Sequence, residues 1–270
     1  MTENTTANTK PRVLVTGAAG RIGRCFARAA RDRFRLRLAD SDAAGLEQLR
    51  DCTDEQPLVF DVTDPEACGR ACRGCDAVIH LAGSVNLSDD AWPELHHHNI
   101  DGVYQVFDAC AREGVGRLVY ASSAQTVEAH PKDVQLNTRD QVRPENLYGV
   151  CKAFGEALAA FYAHRSPERG GGPTAVCVRI ANFREEITRE TRLSRRDMTA
   201  YLSPRDLSEI LSRAVEAEGV RFAIVNAVSD NRYKRLRMDE TCELLGVELQ
   251  DDAFRTLEYP EPAPKSDPAF

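Results

Sequence analysis

The chain has 270 residues, 42% of them hydrophobic and 29% charged, with 17 Gly and 13 Pro. That composition suits a globular core and excludes disordered and fibrous classes. A formal charge of −7 argues against nucleic acid or an anionic membrane surface as partner, and no apolar run approaches the roughly 18 residues that span a bilayer. Nine cysteines, an odd number in a chain too large to need disulfide staples, fit reduced thiols and hence a cytoplasmic protein.

Residues 1–10, rich in Thr and Asn, are expected to be a flexible tail without the apolar stretch of a signal peptide. Residues 11–258 are expected to form one domain, and 259–270 a loosely held Pro-rich tail. The run over 12–16 predicts a first strand, followed by Gly17 and a helix to about Ala30. A second strand over 36–39 ends at Asp40, and a third over 58–60 ends at Asp61. Asp64 then caps a helix opened by Pro65. A fourth strand spans 77–81, a helix 94–113 stopped by Gly114, and a fifth strand 117–121. A helix over 147–164 and the break at Gly170-Gly171-Gly172-Pro173 precede a sixth strand over 175–180. A helix opened by Ser203-Pro204 and running to Glu218 leads to a strand over 222–226. Short β-branched runs alternating with helices specify an α/β fold, a doubly wound parallel sheet of six or seven strands. Such sheets bind ligands beyond the carboxyl ends of their strands.

Three clusters invite a sharper reading and do not support one. Cys68, Cys72 and Cys75 read as a helix face plus a turn, because no second Cys/His pair supplies a fourth zinc ligand. His96, His97 and His98 are consecutive, so they point in different directions and cannot all meet one metal. The arginines between Arg184 and Arg196 are interleaved with acids and read as a solvated loop or helix face. No metal is assigned.

Gly17, Gly20 and Gly23 stand three apart, directly after a strand and opening a helix. This is the turn that lets backbone approach a pyrophosphate and a helix pack close on a sheet, with Arg21 and Ile22 inside it. Asp40 ends the next strand 17 positions after Gly23, near the spacing expected of a carboxylate that accepts from a ribose hydroxyl. An acid there repels a 2′-phosphate, so the expected cofactor is NAD, with NADP the minor alternative. Asp61 and Val62 follow the third strand where they can bracket an adenine edge. Leu81, Ala82 and Gly83 follow the fourth as a small-residue floor.

Tyr148 and Lys152 stand at i and i+4, which puts both on one helix face. A phenol with an ordinary pKa of about 10 is a poor base at neutral pH, and a nearby ammonium favours its phenolate. Ser123 closes the fifth strand, where a hydroxyl can hold a reacting oxygen. Together these residues fall in the order Gly-rich turn, acidic strand end, Ser, then Tyr-x-x-x-Lys, each at a strand or helix terminus.

In these motifs the chain resembles the short-chain dehydrogenase/reductase superfamily, in its extended, NAD-dependent epimerase/dehydratase-like branch. Val-Thr-Gly-Ala-Ala-Gly-Arg-Ile-Gly over 15–23, His-Leu-Ala-Gly over 80–83, Asn99 with Gly102, Ala-Ser-Ser over 121–123 and Tyr-Gly-Val-Cys-Lys over 148–152 carry the likeness. Within the branch it is most similar to bacterial uronate dehydrogenases, through Leu-Arg-Leu-Ala-Asp over 36–40, Val-Arg-Ile over 178–180 and the Ser203 to Asp206 helix start.

The resemblance implies a Rossmann fold with a small C-terminal substrate-binding extension. It implies Tyr148 as acid/base, Lys152 on the nicotinamide ribose lowering the Tyr148 pKa, and Ser123 orienting the substrate oxygen. Asn99 and Ile180 join the expected cofactor residues; Ser84, Ala124, Gln125 and Arg179 join the expected substrate residues, Arg179 as anchor for an acidic or polar group. A homodimer through the two long helices is also implied. The chain departs from uronate dehydrogenases in carrying Ala124-Gln125 where they have Asn-His. It differs again in the stretch after Gly83 and in Arg232-Tyr-Lys-Arg-Leu-Arg237 near the end.

The leading functional expectation is an NAD-dependent oxidoreductase interconverting an alcohol or lactol with a ketone or lactone on a small polyhydroxylated ring of uronate, sugar or nucleoside type. A nucleotide-sugar epimerase or dehydratase would use the same residues but needs a larger C-terminal lobe, and 118 residues follow Lys152. A non-catalytic NAD-binding module is the third reading, disfavoured because Tyr148 and Lys152 are both present.

Overall fold

A computed structural model describes residues 10–260. The strands are β1 (Arg12–Thr16), β2 (Arg35–Asp40), β3 (Leu58–Val59), β4 (Ala77–His80), β5 (Arg117–Ser123), β6 (Thr174–Ile180), β7 (Asn182–Phe183), β8 (Tyr201–Leu202) and β9 (Phe222–Ala227). Seven of them form one sheet in the order β3-β2-β1-β4-β5-β6-β9, and every neighbouring pair is parallel. The order reverses between β1 and β4, so a crevice opens beyond their carboxyl ends. β7 and β8 pair separately.

The helices are α1 (Arg21–Ala30), α2 (Ala43–Glu47), α3 (Pro65–Cys72), α4 (Trp92–Leu95), α5 (Gly102–Arg112), α6 (Leu147–Ala163), α7 (Arg195–Thr199), α8 (Pro204–Glu216), α9 (Asp239–Leu245) and α10 (Ala253–Thr256). Alternate strand residues feed two cores, as the period of two requires. Val13, Val15, Ile79, Val119 and Val178 face α1 and α8 with Phe26, Ile210 and Leu211. Leu14, Val78, Leu118, Tyr120 and Cys177 face α3, α5 and α6 with Phe107, Ala159 and Tyr162. Cys68 and Cys72 lie on α3 and Cys75 in the turn after it, all buried in that second core.

Three differences from the sequence expectation have local causes. The helix expected over 94–113 starts at Trp92, with Pro93 in its first turn, and winds as a π-helix through His96–Asp101 before α5. The helices α2, α7, α9 and α10 are four to seven residues long, too short to show a hydrophobic period. The expected tails over 1–10 and 259–270 lie outside the described residues except for Lys10, Tyr259 and Pro260. Tyr259 is not loose: its ring meets Phe254 edge-on at 5.6 Å and the Arg195 guanidinium lies 5.4 Å from its centroid.

The segments beyond β6 build a small lobe over the sheet's carboxyl edge. Its own core is Met198, Tyr201, Ala253 and Phe254, with Ile187, Leu193 and Leu257 against them. Ser203 fixes α8 by accepting from the Asp206 amide. Asp206, almost fully buried, in turn accepts from the amides of Gln250 and Asp251. The lobe is thereby tied to the sheet.

Candidate active site

Two connected hollows fill the crevice. The first, about 410 Å³, is lined by Gly17, Gly20, Asp40, Asp61, Val62, Leu81, Ala82, Gly83 and Ser84, among others. The second, about 520 Å³, shares Gly17, Gly20, Leu81 and Gly83 and continues to Ser123, Gln125, Tyr148, Lys152 and Ile180.

Gly17 has φ +70°, and a Cβ there would stand 2.6 Å from the Ala82 amide nitrogen; at Gly23 a Cβ would stand 2.2 Å from the Gly17 carbonyl oxygen. Only glycine closes this turn against β4 and lets α1 begin at once. The N-cap of α1, Gly20, contributes no side-chain hydrogen bond. The first-turn amides of Arg21 and Ile22 therefore meet the cleft with no cap of their own, the condition that favours a phosphate group. Asp40 closes the turn from β2: one oxygen accepts from the Ala19 amide at 2.9 Å, the other from the Asp42 amide at 3.0 Å. The residues present fit a dinucleotide.

Asp61 accepts from the amide and hydroxyl of Thr63, both at 2.9 Å, and the amide bond holds its carboxyl below the usual carboxylate range. Among the described residues, Asp61, His97 and His98 each bring one possible ligand atom within 4.8 Å of the others. His97 and His98 share a side with Asp61, while His96 lies 3.4 Å from Asp101 along the same π-helical segment.

Asn99 is fully buried and lines neither hollow. Its side chain is spent on the Ser84 backbone, accepting from the amide at 2.7 Å and donating to the carbonyl at 2.9 Å. It therefore shapes the Gly83-Ser84 turn and does not contact the first or second hollow. Ser84 lies at the nucleotide end, with its hydroxyl donating to Glu94 at 2.5 Å, away from the Tyr148 end where the sequence put it.

α6 delivers Tyr148 and Lys152 from a start capped by Asn146, which accepts from the Gly149 amide at 2.8 Å. Both are buried. The Lys152 ammonium donates to the Ala121 carbonyl at 2.8 Å and lies 5.5 Å from the Tyr148 ring centroid. Burial pushes the Lys152 pKa down to about 8. Burial also pushes the Tyr148 phenol up to about 12, opposed by a hydrogen bond with Ser123. In this arrangement desolvation outweighs the lowering expected from Lys152. Ser123 also accepts from the Gln125 amide at 3.2 Å, starting the tight turn Ala124–Thr126.

Arg179 corrects the sequence reading. It is 1% exposed, and its guanidinium forks onto Glu156 at 2.8 and 2.9 Å. The Ser122 hydroxyl donates to the same carboxylate at 2.6 Å. This ion pair is internal to β6 and α6, and Arg179 lines neither hollow. Arg196 does reach the cleft, although it lies inside the run read as a solvated face. It pairs with the buried Glu128, which also takes Lys132 at 2.9 Å. Arg235 enters from the far end and donates to the carbonyls of Pro131 and His130, at 2.7 and 3.2 Å. Asn182, Asp197, Val85 and Leu87 complete this wall. Sequence reasoning missed all of these. The available signals were the altered stretch after Gly83, which contains Val85 and Leu87, and the altered segment at Arg232 to Arg237, which contains Arg235.

Arg21 spans the cleft mouth, donating to the Phe183 carbonyl at 3.2 Å and to Glu185 at 3.3 Å. Ala124, Gln125 and Ile180 sit in the second hollow as expected, with Gln125 accepting from the Asn146 side chain at 2.8 Å.

A family model for the NAD dependent epimerase/dehydratase family matches residues 13–200. The chain belongs to that family. As a member it is an NAD-dependent enzyme of the extended short-chain dehydrogenase/reductase type, with NAD as the cofactor. It is 33% identical over 254 residues to an NAD-dependent glucose-6-phosphate dehydrogenase of Haloferax volcanii, covering 89% of this chain and 94% of that one. It is 32% identical over 267 residues to an L-arabinose 1-dehydrogenase (NAD(P)(+)) of the same organism, covering 92% and 99%. A solved uronate dehydrogenase variant from Agrobacterium tumefaciens complexed with NAD superimposes with a TM-score of 0.76 at 28% identity, covering 96% of this chain and 93% of that one. No helix among the described residues is long and apolar enough to cross a membrane.

Proposed function

We propose that the protein oxidises the anomeric carbon of a small sugar or uronate, converting a lactol to a lactone with NAD⁺ as hydride acceptor. The observation that carries this reading is the convergence of Ser123, Tyr148 and Lys152 in a hollow continuous with the glycine turn of α1. Three relatives named for sugar or uronate dehydrogenation support the substrate class, one of them a 1-dehydrogenase by name.

When bound, NAD⁺ supplies the hydride acceptor at its nicotinamide ring. The amides at the start of α1 would hold its pyrophosphate, and Asp40 would accept from a ribose hydroxyl. Ser123 donates to the substrate oxygen and holds it against the Tyr148 phenolic oxygen. Tyr148 takes the proton of the anomeric hydroxyl as the C1–H bond breaks and the C1–O bond becomes a carbonyl. Lys152, charged, favours the phenolate that does this. The substrate's remaining hydroxyls meet Gln125, Asn182 and the Arg196–Glu128 pair. With Tyr148 held near 12, the oxidative rate rises with pH until Lys152 loses its proton.

The test is hydride transfer from a sugar carrying deuterium only at C1. The expected outcome is monodeuterated reduced nicotinamide and a lactone. Unlabelled reduced cofactor would mean that another carbon is oxidised.

A cytoplasmic location accords with nine free cysteines, seven of them buried. A homodimer accords with Tyr104, Val150 and Phe161, exposed on α5 and α6; light scattering on the wild type and on Phe161→Glu checks it, a monomeric wild type contradicting it.

A further inference from the structure

Lys152 is 4% exposed and forms no ion pair among the described residues. Burying an ammonium without an anion is costly, so something else must compensate it. Its hydrogen-bond acceptor among the described residues is the Ala121 carbonyl. Two ring faces also stand against it: Tyr148 at 5.5 Å and Tyr120 at 5.1 Å from ammonium to ring centroid.

Tyr120 is placed for this with unusual care. It is fully buried on β5, with the Phe107 ring edge-on at 5.4 Å and the His80 ring stacked at 6.0 Å. Its hydroxyl is buried and has no hydrogen-bond partner, a cost that the hydroxyl itself does not offset. Opposite it α6 carries Gly155, where a Cβ would stand 2.3 Å from the Tyr120 ring. The glycine admits the ring against α6 one turn beyond Lys152. What the position contributes is a ring face.

Among the described residues, no other titratable group around the ammonium offers it a free negative charge: the one carboxylate, Glu156, is already paired. His80 on β4 bonds Thr16 at 2.7 Å and is held neutral, burial and the Lys152 charge pushing its pKa to about 3. On α6, burial raises Cys151 and Tyr148, and Glu156 is taken by Arg179. On β5, burial raises Tyr120 itself.

We propose that Tyr120 is a positioning residue of the acid/base pair: its ring and that of Tyr148 bracket the Lys152 ammonium and hold it charged beside the phenol. The inference rests on the Tyr148 and Lys152 chemistry proposed above. Desolvated cation–π contacts are the strong ones, and this one acts on a lysine whose loss of charge falls close to working pH.

The test replaces Tyr120 by phenylalanine and by phenylalanines bearing one, two and three ring fluorines, which withdraw ring electron density with little change of volume. Tyr120→Leu would leave a cavity, so the ring-preserving series carries the test. The chain has five lysines, so the ¹³C-labelled Lys152 side chain can be followed by NMR titration without NAD and identified by its loss in Lys152→Met. Tyr120→Phe is expected to keep the wild-type midpoint. Successive fluorines are expected to lower it, by about one pH unit at three, and the alkaline limb of kcat/KM should move with it. A midpoint that stays put across the series overturns the proposal. Full turnover in Tyr148→Phe would overturn the catalytic reading instead, and the NMR result would still stand on its own.

Discussion

At the nucleotide end the cleft is made of backbone: the Gly17 turn, the uncapped start of α1, and Asp40 pinned to two amides. At the substrate end it is made of side chains sent from separate segments, Val85 and Leu87 after β4, Gln125 and Glu128 after β5, Asn182 after β6, Arg196 on α7 and Arg235 before α9. Backbone sites need glycine and small residues at fixed spacing, which a sequence displays. Side-chain sites need only that loops arrive at the same place, and that is a tertiary fact. The first end can therefore serve any member of the family, while the second is free to change substrate.

Tyr148 joins the two ends, and its removal has the largest expected effect. Tyr148→Phe should lower kcat by about 10²–10⁴-fold while the calorimetric Kd for NAD stays within a few-fold; a large loss of NAD affinity would mean that the phenol is part of the nucleotide end. Next comes the contrast between two arginines. Arg179→Ala strands the buried Glu156 and should cost about 3–5 kcal/mol in urea unfolding. Arg196→Ala, on a half-exposed side chain, should leave unfolding nearly unchanged and raise KM for the sugar by several-fold. The opposite pattern would restore Arg179 as the anchor.

Beneath both ends lies His80, whose folded pKa of about 3 is depressed below its ordinary 6.5. Between those values the unfolded chain binds a proton that the folded chain refuses, so stability falls as pH drops through that window, by about 1.4 kcal/mol per pH unit. Unfolding curves at pH 7, 5.5 and 4.5 should show this slope in the wild type and lose it in His80→Asn; equal slopes would remove His80 from the account. Asp40→Ala carries the smallest effect, a shift of about tenfold in the NAD to NADP preference, and an unchanged ratio would place the ribose elsewhere.

The same division explains what could be read in advance. The strands, the glycine turn, Asp40, Ser123 and the Tyr148–Lys152 pair each announce themselves by local pattern, and the structure brings them to one crevice. Arg179 misled because the family resemblance carried it over as an anchor for an acidic or polar group, and only the fold shows Glu156 opposite it on α6. Asn99 was expected among the cofactor residues, but its side chain is spent on the Ser84 backbone and lines neither hollow. Glu128 and Arg235 had no periodicity or spacing to mark them, and the partners that fix them lie in other loops.

The most direct test of the account is the rate of NADH formation, followed by absorbance, with purified protein, NAD⁺ and a panel of glucuronate, galacturonate, glucose 6-phosphate and L-arabinose. The account predicts turnover with at least one of these lactols and none in Tyr148→Phe. No turnover with any lactol, or equal rates in both proteins, would contradict it.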